Sequence, residues 1–137
     1  MKKSRLLILF SFIALLLAAC GGAATEAPAS IDINNLPLAV DVQTVAEIKD
    51  MDNVLVLDVR EQFEYDEKHI PGVTLIPMSE LETRLTEIPT DQNVIVTCRS
   101  GNRSGQVADY LRQIGYDNVH NMEGGILAWE SAGYPVE

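Results

Sequence analysis

The 137-residue chain has few cysteines and few basic residues, and each shortage excludes a class of protein. Cys20 and Cys98 are its only cysteines, which excludes a disulfide-dense scaffold and a zinc site built from several thiolates. Lys and Arg number 10 against 20 Asp and Glu, giving a formal net charge of −10. We expect no nucleic-acid partner, because such binding needs a basic surface. The length and the 47% hydrophobic content fit one ordinary domain.

One long apolar run, Leu6–Leu17, follows Lys2, Lys3 and Arg5 and precedes Cys20. A positive start, an apolar stretch and small residues are typical of a secretory signal peptide, here residues 1–19. The sequence Leu-Ala-Ala-Cys resembles the lipobox of bacterial lipoproteins. This implies cleavage before Cys20, lipid attachment to its sulfur, and anchoring at the extracytoplasmic face of a bacterial membrane. The alternatives are an uncleaved anchor and an ordinary signal peptide with an incidental cysteine.

Most side chains in the first half of segment 20–37 are small or polar. Because they can bury little apolar surface, this segment has little to drive its folding. We expect the lipidated Cys20 and a flexible tether here, with the folded domain beginning at residue 38. Without the residues before Cys20, 7 cations face 20 acids, so the mature chain carries a charge near −13. Anionic headgroups should repel so acidic a domain.

From residue 38 onward, strand-like and helix-like patterns alternate. This alternation indicates an α/β fold with a mainly parallel sheet. In one expected helix, Ser79 and Glu82 have the spacing of a capping box. The expected strands are 39–42, 53–59, 73–76, 93–98 and 119–121, and the expected helices are 44–48, 79–88, 104–114 and 125–132.

The segment Cys98–Ser104 joins an apolar strand to an amphipathic helix and is the candidate site. Ligands of open α/β sheets bind at the carboxyl ends of strands, and the N–H groups of a helix N-terminus favour anions. Gly101 and Asn102 allow a tight turn, and two arginines add positive charge. We expect this environment to lower the pKa of the Cys98 thiol and make its thiolate nucleophilic. The alternative is a buried structural cysteine beside solvent-facing arginines.

Three motifs, in order along the chain, resemble those of rhodanese-type sulfurtransferases. The Cys98–Ser104 loop is similar to the active-site loop of that family. Residues 57–73, with Leu-Asp-Val-Arg-Glu and His-Ile-Pro-Gly-Val, resemble its amino-terminal signature, and residues 121–136 resemble its carboxyl-terminal signature. The match spans about residues 38–137. It implies a single rhodanese-like domain, with a mainly parallel five-stranded sheet and helices on both faces.

The resemblance also implies the chemistry of a thiosulfate sulfurtransferase, with no cofactor and no metal. Cys98 would take the outer sulfur of thiosulfate or a similar small anionic donor as a persulfide and pass it to cyanide or a thiol, which a protein can supply. Arg99 and Arg103 would bind the donor, and backbone N–H groups would cradle the sulfur. The expected substrate-binding residues are Arg99, Ser100, Gly101, Asn102, Arg103 and Ser104.

Two other functions stay open at this point. A persulfide carrier would use Cys98 without turning over thiosulfate. A phosphatase or an arsenate reductase fits less well, because related phosphatases have five residues between cysteine and arginine, whereas four separate Cys98 from Arg103. Thr97 also stands where those enzymes usually have histidine.

Charged residues outside the loop are given lesser roles. Asp58 and Arg60 follow an apolar strand, and we expect a supporting structural ion pair. Six acidic residues on either side of Asp58 are interpreted as a solvent-exposed face, because their spacing is not that of metal ligands. These acids are Asp50, Asp52, Glu61, Glu64, Asp66 and Glu67.

Overall fold

A computed structural model describes residues 30–137 of the chain. The predicted signal peptide, Cys20 and most of the predicted tether lie outside these residues. Within 30–137, no helix has the length and apolar character needed to cross a bilayer. In chain order the elements are β1 (Ala39–Val40), α1 (Val42–Ile48), β2 (Val54–Asp58), α2 (Gln62–Glu67), β3 (Thr74–Leu75), β4 (Asn93–Thr97), α3 (Asn102–Gln113), β5 (Val119–Met122) and α4 (Gly125–Ser131).

The five strands form one sheet in the order β1-β5-β4-β2-β3, and every pair is parallel. The predicted fold class is therefore confirmed, with a fully parallel sheet. In the register, Asp58 lies opposite Thr97, and Val96 lies opposite Asn121. The carboxyl ends of the three central strands thus bring Asp58, Cys98 and Asn121 to the same edge of the sheet.

Helices cover both faces of the sheet because the central strands bury apolar side chains on both sides. In β4, Ile95 packs on one face, whereas Val94 and Val96 pack on the other. The first face is covered by α1 and α4, whose Trp129 is 1% exposed. The second is covered by α3 and the segment around Leu81.

The predicted helix over 79–88 is wrong. Two short 3₁₀-helices, Met78–Thr83 and Leu85–Glu87, occupy this stretch. Ser79 does not cap a helix, because its hydroxyl donates to Oε2 of Glu61 at 2.9 Å. Without that cap, and with proline at 77 and at 89, the segment has neither the start nor the length of an α-helix.

Helix α2 has no counterpart among the predicted elements. It buries none of its residues, so it leaves no apolar periodicity in the sequence. Its N-terminus is held by Glu64, whose Oε2 accepts from the Glu61 N–H at 3.1 Å. The Glu61–Glu64 spacing is therefore the signal that marks the helix start.

The packed part of the chain begins before the expected boundary at residue 38. Ile31, Ile33 and Leu36 pack against the core formed with α1 and α4. The Ile33 carbonyl accepts from Nδ2 of Asn93 at 2.9 Å, at the start of β4. Residues 31–37 therefore belong to the domain, because their three apolar side chains have a core to contact.

Candidate active site

Cys98 directly follows β4 and lies at the centre of the carboxyl edge of the sheet. The residue is only 1% exposed, and it packs in the apolar cluster between the sheet and α3. Burial alone would make an inert thiol. The polar groups around Sγ therefore decide what this cysteine does.

Two hydrogen-bond donors converge on the Cys98 sulfur. The Gly101 N–H lies 3.2 Å from Sγ, and the Ser104 hydroxyl lies 3.3 Å from it. Gly101 has φ of 88°, a conformation that favours glycine, and it turns the chain directly into α3. The helix begins at Asn102, two residues earlier than predicted, so Ser104 lies in its first turn.

Of the two residues expected to allow a tight turn, Gly101 makes it and Asn102 does not. Glycine is the only residue type with positive φ among the described residues. Asn102 is instead the exposed first residue of α3. Arg99 and Ser100 are also exposed, so solvent reaches the loop on both sides of Gly101.

The loop carbonyls are held away from the sulfur by the start of α4. The Ile126 N–H donates to the Cys98 carbonyl at 2.8 Å, and the Leu127 N–H donates to the Arg99 carbonyl at 3.1 Å. These bonds require close approach at Gly125, where a Cβ would lie 2.4 Å from the Cys98 oxygen. Because the carbonyls point toward α4, the following N–H groups are free to face Sγ.

A side chain of β5 holds the other end of the loop. Nδ2 of Asn121 donates to the Gly101 carbonyl at 3.3 Å. Oδ1 of Asn121 is buried and has no hydrogen-bond partner among the described residues. A Cβ on Gly101 would lie 2.8 Å from the Gly124 nitrogen, so the turn packs directly against the backbone before α4.

The environment lowers the pKa of Cys98. Burial raises it, but hydrogen bonds from the Ser104 hydroxyl and from the N–H groups of Ser104, Ser100 and Gly101 lower it more. The net pKa therefore lies below the ordinary value of a thiol, as the sequence predicted, and the thiolate fraction at neutral pH is increased. The groups responsible are neutral dipoles of the loop and the start of α3.

The Arg103 guanidinium is engaged in an ion pair with Glu64. It donates to both carboxylate oxygens of Glu64, with Nη1 2.6 Å from Oε2 and Nη2 2.7 Å from Oε1. Hydrogen bonding by Arg103 lowers the pKa of Glu64 from its ordinary 4.5 to about 2. Glu64, interpreted from the sequence as part of a solvated acidic face, is thus a member of the site.

Asp58 and Arg60 form the predicted ion pair at the end of β2. Nη2 of Arg60 lies 2.7 Å from Oδ2 of Asp58, and both side chains are almost fully buried. Arg60 also donates to the backbone carbonyls of Glu64 and Lys68 at 3.1 and 2.9 Å. The pair therefore fixes the position of α2, and through it the carboxylate that holds Arg103.

The expected site residues did not include Glu64, Asn121 or Gly125. The Glu61–Glu64 spacing is typical of a capping box, but nothing local indicates that Glu64 has a partner 39 residues away. A polar residue at the end of an apolar strand was the available signal for Asn121.

Comparisons with known proteins agree with this geometry. A family model described as Rhodanese-like domain matches residues 41–132. A protein named Sulfurtransferase from Allochromatium vinosum is 39% identical over 98 residues, which cover 71% of this chain and 92% of that protein. The Thiosulfate sulfurtransferase GlpE of Pseudoalteromonas translucida is 31% identical, covering 68% of this chain and 89% of that protein.

A solved structure gives the same fold. The crystal structure of a rhodanese-related protein from Thermoplasma volcanium matches with a TM-score of 0.67 and 35% identity. The match covers 74% of this chain and 98% of that one.

Proposed function

Because the chain belongs to the rhodanese-like domain family, we propose that it is a sulfurtransferase that carries sulfane sulfur as a persulfide on Cys98. The observation that supports this most is the convergence of the Gly101 N–H and the Ser104 hydroxyl on the Cys98 sulfur. Such donors stabilise a thiolate, and they suit the charge of a persulfide equally well.

In the first half-reaction, the Cys98 thiolate attacks the outer sulfur of a donor such as thiosulfate. A bond forms between Sγ and that sulfur while the sulfur–sulfur bond of the donor breaks. Sulfite leaves with the electron pair of the broken bond, and the terminal sulfur of the persulfide keeps the negative charge that it carried in thiosulfate. No proton needs to move, so the site requires no general base once Cys98 is ionised.

In the second half-reaction, an acceptor such as cyanide or a thiolate attacks the terminal sulfur. The new bond forms as the bond to Sγ breaks, and the Cys98 thiolate is regenerated. Because Cys98 is buried, donor and acceptor both reach it past the exposed residues Arg99, Ser100 and Asn102. We assign donor contact to these residues, with Arg99 supplying the positive charge.

The test is thiocyanate formation from thiosulfate and cyanide by the purified full-length protein. We expect turnover by the wild type and none above background by Cys98→Ser, which keeps a polar side chain but removes the nucleophile. Equal rates for the two proteins would refute the proposal for this donor. A mass gain of one sulfur on Cys98 without thiocyanate would instead identify a persulfide carrier.

A phosphatase or an arsenate reductase is a weaker candidate. An oxyanion held above the cysteine needs an arginine that is free to bind it, and Arg103 is engaged by both oxygens of Glu64. We expect no hydrolysis of a phosphate monoester and no arsenate-dependent oxidation of an added thiol.

We further propose that the protein acts outside the cytoplasm, anchored to the membrane by lipid on Cys20. This rests on the sequence of residues 1–20, with its positive start, apolar run and Leu-Ala-Ala-Cys ending. Cys20→Ser should move the protein from the membrane fraction to the soluble fraction of a bacterial host. Continued sedimentation with membranes would show that the apolar run itself is the anchor.

A further inference from the structure

The charged residues beside the loop are paired in a way that bears on the donor. Asp58 pairs with Arg60, and Glu64 pairs with Arg103. Each pair contributes no net charge. Among the described residues, the side chain of Arg99 has no carboxylate within ion-pair distance, so it is the one loop cation whose charge is unopposed.

A cavity of about 310 Å³ lies beside the loop, and positive and negative side chains both line it. Its lining includes three cations, of which Arg60 is paired with Asp58 and Lys68 with Glu130. Arg99 is the third, and the exposed carboxylate of Glu67 lines the cavity with it. Glu64 also lines this cavity, which therefore offers little net positive charge to a dianion.

We propose that Glu64 sets the charge of the sulfur donor, by neutralising Arg103 and leaving a site suited to singly charged donors such as persulfides and thiosulfonates. This inference rests on the proposed sulfur transfer. A dianion such as thiosulfate interacts with the loop N–H groups and Arg99 but finds the Arg103 guanidinium occupied. A monoanion needs no second cation, so the neutralisation of Arg103 by Glu64 weakens its binding less than that of a dianion.

The geometry of Glu64 suits a fixed role. Its carboxylate accepts two bonds from Arg103 and a third from the Glu61 N–H, and its side chain is 17% exposed. A bidentate pair holds the guanidinium plane in one orientation. Hydrogen bonding by Arg103 holds the pKa of Glu64 at about 2, so the carboxylate is ionised throughout the physiological range.

The test substitution is Glu64→Gln. Glutamine also serves at this position of a capping box, so the start of α2 is kept while the negative charge is lost. Glu47→Gln is the matched control, because Glu47 is an exposed helical acid on α1 and its loss changes the net charge equally.

Binding is measured without turnover, as protection of Cys98 from iodoacetamide by sulfate, a dianion, and by methanesulfonate, a monoanion. In Glu64→Gln the half-protecting concentration should fall about tenfold for sulfate and about threefold for methanesulfonate, because Coulomb attraction scales with ligand charge. Glu47→Gln should change neither by more than about twofold. Unchanged protection, or an equal change for both ions, would overturn the inference.

Turnover separates this inference from the proposed function. With thiosulfate, Glu64→Gln should lower KM about tenfold and leave kcat within about twofold, whereas with methanethiosulfonate the KM should fall about threefold. A structural role would instead lower kcat for both donors. If the wild type makes no thiocyanate, the sulfurtransferase proposal fails, and the protection assay still decides the role of Glu64.

A double substitution guards against misfolding as an explanation. Arg103→Gln should weaken sulfate protection, because it leaves the Glu64 carboxylate without its partner. Adding Glu64→Gln should return protection to about the wild-type level and no further, since no guanidinium remains to be released. Protection in the double variant as strong as in Glu64→Gln alone would show that Glu64 acts without Arg103 and would overturn the inference.

Discussion

Asp58 and Cys98 lie at the carboxyl ends of neighbouring strands and are equally buried, at 1% exposure each. Their negative charges are stabilised differently. Asp58 faces a full counter-ion, Arg60, in a bidentate pair. Cys98 has a hydroxyl and backbone N–H groups around its sulfur and, within residues 30–137, no directly paired cation. A full ion pair locks a carboxylate in place, whereas neutral donors stabilise a sulfur that must form and break bonds.

The largest effect should come from breaking the ion pair. Asp58→Ala leaves the Arg60 charge buried without its partner, which should lower the free energy of unfolding by about 3–5 kcal/mol. Cys98→Ala is the matched substitution at the other strand end and should cost only about 1 kcal/mol. Urea denaturation of both variants measures the difference. Similar losses would mean that the two ends are stabilised alike.

Gly125→Ala should displace the backbone of Cys98 and Arg99 and so disturb the loop around the sulfur. A Cβ at this position would lie less than 3 Å from the Cys98 and Arg99 carbonyls. The backbone of Gly125 also has a φ of 57°, in the left-handed region. We expect about 2–4 kcal/mol of destabilisation, from overpacking and the left-handed backbone together, and a loss of most sulfur transfer. Gly133→Ala, with φ of 83° and open space around it, should lose only about 1 kcal/mol and stay active.

Ser104→Ala removes one donor to Sγ and leaves the backbone in place. The pKa of Cys98 should rise, because the hydroxyl is the strongest of the groups that lower it. The thiolate should become about 1 kcal/mol less favourable, so iodoacetamide should alkylate Cys98 severalfold more slowly at pH 7. The pH profile of alkylation measures this. A profile identical to that of the wild type would assign the low pKa to the backbone alone.

The smallest effect concerns the pair between Glu64 and Arg103. Because folding lowers the pKa of Glu64 from 4.5 to about 2, the stability from this group is complete above pH 4.5. It is lost as the pH falls through about 2. Solvent screening limits the effect to about 1 kcal/mol. Unfolding midpoints at pH 5 and pH 3 should differ less in Glu64→Gln than in the wild type, and parallel slopes would contradict this assignment.

The sequence was most informative where a feature is local. The apolar runs that became β2 and β4 identified the sheet, and the Cys98–Ser104 segment identified the loop, because strand, glycine and helix start lie within a few residues. The predicted ion pair of Asp58 and Arg60 spans only two positions. Such arrangements are set by short-range geometry and can be inferred without the fold.

What the sequence did not reveal depends on tertiary contacts. Arg103 was expected to face the donor, but α2 brings Glu64 against it from 39 residues away. The helix itself buries no residue and leaves no periodicity. Ser79 was assigned a capping role that disappears once Glu61 is folded beside it. Each miss arises where a distant residue competes successfully with a local partner.

The bond between Asn93 and the Ile33 carbonyl fixes where the chain enters the folded domain. It holds the incoming chain at the amino edge of the sheet, whereas Cys98 lies at the opposite edge, about 16 Å away along β4. The point where the chain enters the folded domain and the reactive sulfur therefore lie at opposite edges of the sheet, so the entering chain does not cover the loop around Cys98.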